Sequence, residues 1–406
     1  MYNPKTTRGG DELLARLQAQ SLNRRSALSL LAGLGLAAGA ARPIAAARLA
    51  QESATPADPA PEMGPPATPV LGEQPDGTVT WRVQVSHMDM ENGIEAMGFY
   101  PQEITINAGD RIFYDVHGLH TISFPGAEGP PPMIVQEAAA LGTPAAAGSA
   151  SRWVINPAVA FPSGPPVHDG ASYLNSGLPD PTVPPFVAEF TAAGTFEYLC
   201  LVHPASMKAT VVVQEQGAER PHDQAAYDQQ AAEQIDAVLA QGQALIEQQS
   251  GAAAEGTVWD VAAGVGEEQA QVMRFLPDRL EIHAGDTVRW TNLGGPEPHT
   301  VTFPGDTAPP ELLLVEPQTA GPPLLVLNPE VMDPAGGPSY DGAGYVNSGW
   351  LQDEEVEFPE GTEFPDTWEL TFDTPGEYPY YCVLHGGAGG EGEPALVGMV
   401  GTIVVS

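Results

Sequence analysis

Cys200-Leu201-Val202-His203-Pro204-Ala205-Ser206-Met207 is the stretch on which the fold turns, and the chain repeats its core as Cys382-Val383-Leu384-His385, with Met399 further on. Well upstream of each lies a His-Thr-[Ile/Val]-x-Phe-Pro-Gly segment, at His120 and at His299. One thiolate, two imidazoles and a weak thioether form the ligand set of a copper centre that exchanges electrons with little rearrangement. The chain holds 2 cysteines in all, and in an exported protein two cysteines can pair as a disulfide. Each stands at the same place in its own repeat, beside the same histidine, so a bridge between them is not expected.

The repeat extends beyond these segments. Ala108-Gly109-Asp110 matches Ala284-Gly285-Asp286, and Asn156-Pro157 matches Asn328-Pro329. Asp169-Gly170 with Tyr173-x-Asn175-Ser176-Gly177 matches Asp341-Gly342 with Tyr345-x-Asn347-Ser348-Gly349. The spacing drifts slightly from pair to pair, as short insertions in loops between fixed strands would make it do.

Within each repeat the local pattern is β. Ile104 and Ile106, like Leu280 and Ile282, alternate with polar residues up to the Ala-Gly-Asp turn signal. Phe196 and Tyr198 alternate into Cys200; Tyr378 and Tyr380 alternate into Cys382. Each repeat closes on a β-branched run, Ala209-Thr-Val-Val-Val and Gly401-Thr-Ile-Val-Val. Short strands set among 45 Gly and 42 Pro indicate an all-β sandwich. Between the repeats, 222–249 is rich in Ala, Gln and Glu, with Ile235, Val238, Leu239, Leu245 and Ile246 at helical spacing. A helix with one apolar stripe, packed on a sandwich or on the other domain, is expected there, a partner-binding helix being the alternative.

Across both repeats the chain resembles the cupredoxin family, the plastocyanin- and azurin-type blue copper proteins. Gly398-Met399-Val400-Gly401 looks like that family's terminal strand with its axial Met, and Tyr381 before Cys382 is similar to plastocyanin. The resemblance implies two tandem Greek-key β-sandwiches, 78–214 and 257–406, joined by a helical linker, 215–256. It implies two type 1 copper sites, one of His120, Cys200, His203 and Met207, the other of His299, Cys382, His385 and Met399. It also implies that electrons leave through the edge of His203 or His385, reaching the surface in an apolar patch. The loop from His385 to Met399 is long and carries Gly386, Gly387, Gly389, Gly390 and Gly392, which leaves the axial role of Met399 open. The unequal axial loops imply unequal reduction potentials. The segments around Tyr-x-Asn-Ser-Gly exceed a minimal cupredoxin; shielding the site or shaping a docking face are their two readings.

The expected function is therefore that of a blue copper protein carrying single electrons between redox partners, and not an enzyme. Copper oxidases and nitrite reductases of similar build need further histidines, in His-x-His pairs and beside the copper Cys. The chain has no His-x-His, and Leu199 and Tyr381 precede its cysteines, so an open metal position for substrate lacks ligands. Copper storage or delivery is the alternative. His87, Met88, Met90 and Met97 read as an apolar strand with a chance histidine, not as a third site.

Arg24-Arg25, the apolar run Ser26 to Ala41 and the small residues Ala45-Ala46-Ala47 have the order of an export signal, 1–47, and resemble a twin-arginine one. A Pro/Ala-rich tether, 48–77, follows. The expected location is the periplasm or the cell exterior, with no stable membrane span once the signal is removed. The net charge of -37 excludes nucleic acid, whose phosphates need Lys and Arg. It suits redox partners that include basic proteins.

Overall fold

A computed structural model describes residues 69–137, 152–180, 183–249, 253–319, 321–353, 363–390 and 395–406. The expected signal and most of the tether lie outside them. Residues 69–179 and 186–406 form one compact unit. Gly72–Glu73 already pairs with Val79 and Thr80, so regular structure begins inside the segment read as tether. Among the described residues no helix is long and apolar enough to cross a membrane.

Strands dominate. In the first half, Val79–Asp89, Ile94–Tyr100, Arg111–Val116 and Val187–Phe190 lie in one sheet. Glu103–Asn107, Ser123–Phe124, Leu174–Asn175, Gly194–Leu199 and Lys208–Gln214 form another. Ala209, Val211 and Val213 point inward from the last of these while their neighbours face out, the period-2 alternation read from the sequence. They meet Trp81, Val83, Ile104, Ile112 and Tyr198 in one apolar core. The second half is built alike. Val258–Glu267, Ala270–Leu276, Asp286–Leu293 and Thr367–Phe372 share one sheet. Arg279–Ile282, Thr302–Phe303, Val346–Asn347, Gly376–Ala388 and Leu396–Val405 share another, around a core containing Phe275, Trp290, Phe303 and Ile403.

The halves are fused through their sheets. Ala270–Leu276 pairs antiparallel with Ile94–Tyr100, setting Ala270 opposite Ala96, Gln271 opposite Glu95 and Val272 opposite Ile94. The result is one 12-stranded sheet. Every residue of Ile94–Tyr100 is buried, because both faces are covered. Ile94, Ala96 and Tyr100 lie under the helix Gln224–Gln249, while Met97 and Phe99 enter the first core. Met273, from the second half, packs into that same first core.

The helix buries Tyr227, Ala231, Ile235, Val238, Gly242 and Ile246 at helical spacing, so the expected stripe packs across the joint between the halves. Each aliphatic side chain fully buried in this way stabilises the fold by about 1.5–3 kcal/mol. The Asp223 carboxylate accepts from the Ala226 N–H at 2.9 Å and caps the helix start. Tyr227 Oη donates to the Thr105 carbonyl and accepts from the Thr105 N–H, tying that end to the first half.

Four further strands make a second joint. Ile134–Gln136 and Trp153–Ile155 from the first half continue into Leu324–Leu327 and Leu313–Glu316 from the second, as a four-stranded sheet. Arg152 clamps it, donating to both carboxylate oxygens of Glu137 and of Glu316 at 2.7–2.9 Å.

Candidate metal centres

Three ligand-bearing side chains converge in each half. In the first, Cys200 Sγ lies 3.8 Å from His120 Nδ1 and 3.9 Å from His203 Nδ1, and the two nitrogens are 3.2 Å apart. In the second, Cys382 Sγ lies 3.9 Å from His299 Nδ1 and 3.5 Å from His385 Nδ1, with the nitrogens 3.1 Å apart. Within each set all three ligand atoms fall within 4.8 Å of one another, and all six residues are buried. Both cysteines are free.

The strands explain the convergence. Cys200 follows Gly194–Leu199, and Cys382 lies within Gly376–Ala388. The Thr121 N–H donates to Cys200 Sγ at 3.3 Å, and the Thr300 N–H to Cys382 Sγ at 3.3 Å. The Thr hydroxyls accept from the Leu201 and Val383 N–H groups. This exchange locks the histidine segment to the cysteine segment in both halves.

Behind each threonine stands a buttress. Thr121 Oγ1 contacts Ser123 Oγ, which donates to Asn175 Oδ1; Thr300 Oγ1 contacts Thr302 Oγ1, which donates to Asn347 Oδ1. Asn175 Nδ2 donates to the carbonyls of Ala158, Val159 and Phe161; Asn347 Nδ2 donates to those of Glu330, Val331 and Asp333. The matched Asn-Ser-Gly segments therefore brace the cysteine strand from within.

Met207 is fully buried in the same core as Cys200. Its N–H donates to the His203 carbonyl and its carbonyl accepts from the Cys200 N–H, both at 3.0 Å. The glycine-rich segment of the second half is a ribbon where it is described. Gly386, Gly387 and Ala388 pair with Gly398, Val397 and Leu396, returning Met399 to the core that holds Cys382. Gly398 has φ +84° and lies against the His385 carbonyl, a backbone state and a contact that only glycine accommodates without strain.

Sequence reasoning missed the carboxylates. Glu95 Oε1 lies 2.9 Å from His120 Nε2. Glu297 reaches two histidines at once, His203 Nε2 through Oε1 and His385 Nε2 through Oε2, each at 2.9 Å. A carboxylate on Nε2 fixes the proton there and turns the Nδ1 lone pair of the neutral ring inward, the outer-shell contact typical of a ligating histidine. In the first half both Nδ1 atoms are oriented in this way toward the thiol. Three electron-rich atoms meeting at one buried point fit a copper ion of the ligand set anticipated above.

One signal for Glu95 was available, a lone acid inside the apolar run Ile94-Glu95-Ala96-Met97. Glu297 gave none, since Gly118 occupies its place before His120.

Titration follows the contacts. Burial pushes both thiols up, but hydrogen bonds and charge from their histidines outweigh it and hold Cys200 and Cys382 well below the ordinary thiol range. Burial pulls the imidazoles down, yet the thiols and carboxylates raise His120 to about 9, His203 to about 10 and His385 to about 9. His299 moves the other way, because burial dominates there. Burial also raises Glu95 and Glu297, and their histidine partners bring both below the usual carboxylate value.

The expected exit for electrons is corrected by this geometry. His203 is 4% exposed and His385 7%, because their Nε2 edges meet Glu297 at the joint between the halves and not solvent. His117 stands at the surface beside Asp115. His168 is buried among Phe124, Phe190 and Phe196. Met97 is core and Met90 is half exposed.

No family model matches the chain. Solved structures to which the chain is similar include a mutant amicyanin in its reduced Cu(I) form, 17% identical over 33% of this chain and 82% of that one, with a TM-score of 0.19. A pseudoazurin from Sinorhizobium meliltoi is 17% identical over 38% of this chain and 94% of its own, TM-score 0.19. A mutant fern plastocyanin is 23% identical over 33% and 99%, TM-score 0.19. At such TM-scores the likeness carries no argument; the residues of the two centres do.

Proposed function

We propose that the chain is an exported two-copper electron carrier, built of tandem cupredoxin-like Greek-key units, 78–214 and 257–406. The observation that supports it is the convergence, in each half, of a buried thiol and two imidazole nitrogens within 4.8 Å. A buried methionine shares the core with each thiol. In this reading His120, Cys200, His203 and Met207 hold one ion and His299, Cys382, His385 and Met399 the other. Copper, when bound, supplies a one-electron couple whose two states both tolerate such ligands.

The protein's part is to keep those ligands still. Threonine N–H groups donate to both sulfurs, and the asparagine buttresses fix the threonines. Hydrogen bonding around the cysteine sulfur and exclusion of water are levers on the reduction potential. Burial of all six Cys and His ligands, with Leu199 and Tyr381 and not histidine before the two cysteines, supports a carrier over an oxidase or nitrite reductase. It also disfavours delivery, which needs ligands an acceptor can reach. Export to the periplasm or cell exterior, and redox partners that include basic proteins, rest on the sequence.

Metal analysis and visible absorption test this. The intact protein should bind two copper ions and show intense thiolate-to-copper absorption. Cys200→Ser and Cys382→Ser should each remove one ion and about half the absorption. Copper bound without that absorption would favour storage, and no copper in either half would end the metal reading.

A further inference from the structure

His203 and His385 belong to different halves, yet they share one acid. Glu297 Oε1 takes His203 Nε2 and Oε2 takes His385 Nε2, both at 2.9 Å. Glu297 is 8% exposed, so the bridge is shielded from water. A site needs no such sharing, since His120 has Glu95 to itself, with Ser86 Oγ donating to the same carboxylate oxygen at 2.7 Å. The histidines expected to open each centre to solvent instead face each other across a single side chain.

We propose that Glu297 joins the two centres into one two-electron unit, carrying electrons between the halves along His203, Glu297 and His385. Through it, each centre's tendency to lose an electron depends on the state of the other. The proposal rests on the copper-carrier reading. The step balances without a further reactant. One electron leaves the centre held by Cys200 and arrives at the centre held by Cys382, or the reverse. The first is oxidised by one unit and the second reduced by one; no bond breaks and no proton moves.

The path runs from each Nδ1 through the ring to Nε2–H, across a hydrogen bond, and through one carboxylate carbon. Water is excluded along it, so charge at one end is weakly screened from the other. A single negative charge also serves two imidazoles. The histidine of a more positive centre draws harder on the carboxylate and leaves less for its counterpart. Oxidation of one centre therefore opposes oxidation of the other, and the effect is reciprocal.

The test uses the full copper-loaded chain carrying Met399→Gln, because changing the axial ligand separates the two centres in potential and absorption. After a light-triggered one-electron reduction, both absorptions are followed in time. Re-equilibration should proceed at a rate independent of protein concentration. Glu297→Gln should slow it about tenfold or more, since an amide accepts from one imidazole N–H and turns its own NH2 toward the other. A rate proportional to concentration, or one unchanged by Glu297→Gln, overturns the bridge.

If Glu297→Gln does not load copper, Glu297→Asp provides the second variant, keeping the charge but shortening the reach. Its rate should also fall, and an unchanged rate counts against the bridge equally. Independently, the second centre should titrate at a different potential in Cys200→Ser than in the intact protein, and equal potentials remove the coupling. A protein without thiolate-to-copper absorption overturns the carrier reading as well. A coloured protein with concentration-dependent exchange overturns this proposal alone.

Discussion

The two halves present the same ligands in different surroundings. Val79–Asp89 and Val258–Glu267 each carry a β-bulge, at Ser86 and at Gly264. Ser86 uses its hydroxyl to hold Glu95; Gly264, at φ +84°, leaves room for the His299 ring that any side chain would strike. Facing strands carry Glu95 in one half and Gln271 in the other, directly opposite each other at the joint. Before the upstream histidine stands Gly118 in one half and Glu297 in the other. Thus His120 has a carboxylate from its own half, His203 borrows one from the other half, and among the described residues no side chain hydrogen-bonds to His299 Nε2. The inner ligands are duplicated, but the outer contacts are distributed. The first centre is therefore completed by the second half, whereas the second takes its carboxylate, Glu297, from its own half.

The buttress is the part the halves share, and it should give the largest effect. Asn175→Ala strands the Val159 and Phe161 carbonyls and Asn347→Ala those of Val331 and Asp333, while the Ala158 and Glu330 carbonyls keep a tyrosine hydroxyl and Ser123 and Thr302 lose one partner each. Each should cost about 3 kcal/mol in denaturant unfolding of the copper-free protein. The two costs should agree, because the geometry does. A difference above about 1 kcal/mol would mean that the halves differ in their scaffold as well as in their outer contacts.

Glu95→Gln probes the difference itself. Loss of an outer-shell carboxylate typically weakens metal binding about 10–100-fold, and the loss should fall on the first centre alone. Copper affinity measured in a Cys382→Ser background reads that centre, and a Cys200→Ser background reads the other. Equal weakening of both would show that Glu95 acts by holding the joint together and not by orienting His120.

These differences also mark what the sequence could reveal. Cys-x-x-His, the upstream histidines and the alternation into the last strands are local and repeated, and they located both centres. The helix stripe was legible because Ile235, Val238 and Ile246 recur at helical spacing. Ile94–Tyr100 was not, because a strand covered on both faces loses its alternation, and the cover comes from a helix more than a hundred residues away. Glu297 was hidden because it breaks the repeat. The buried state of His203 and His385 follows from the joint, which depends on strand edges meeting across the halves. No pattern within one repeat encodes that meeting.

The smallest effect separates the two Ala-Gly-Asp turns. Asp110 accepts from the Val79 and Asn107 N–H groups and from Trp81 Nε1, and pairs with Arg220 at 2.8 Å. Asp286 accepts from Trp259 Nε1 and the His283 N–H, but has no arginine among its described partners. Burial raises the Asp110 carboxyl, yet Arg220 and the three N–H donors outweigh it and set it below the ordinary value of 3.8. A carboxyl lowered on folding contributes stability that is fully present above its unfolded value and disappears as pH falls through its folded one. The Asp110 contribution should therefore persist at neutral pH and be lost below 3.8. Asp110→Asn should cost about 2 kcal/mol at pH 7, the range for hydrogen bonds to a buried charge, and should flatten the acid limb of the stability curve. Asp286→Asn should cost less at pH 7, lacking the ion pair. Equal costs would place the stabilisation in the turn's N–H contacts, which the halves have in common, and remove Arg220 as a source of the asymmetry.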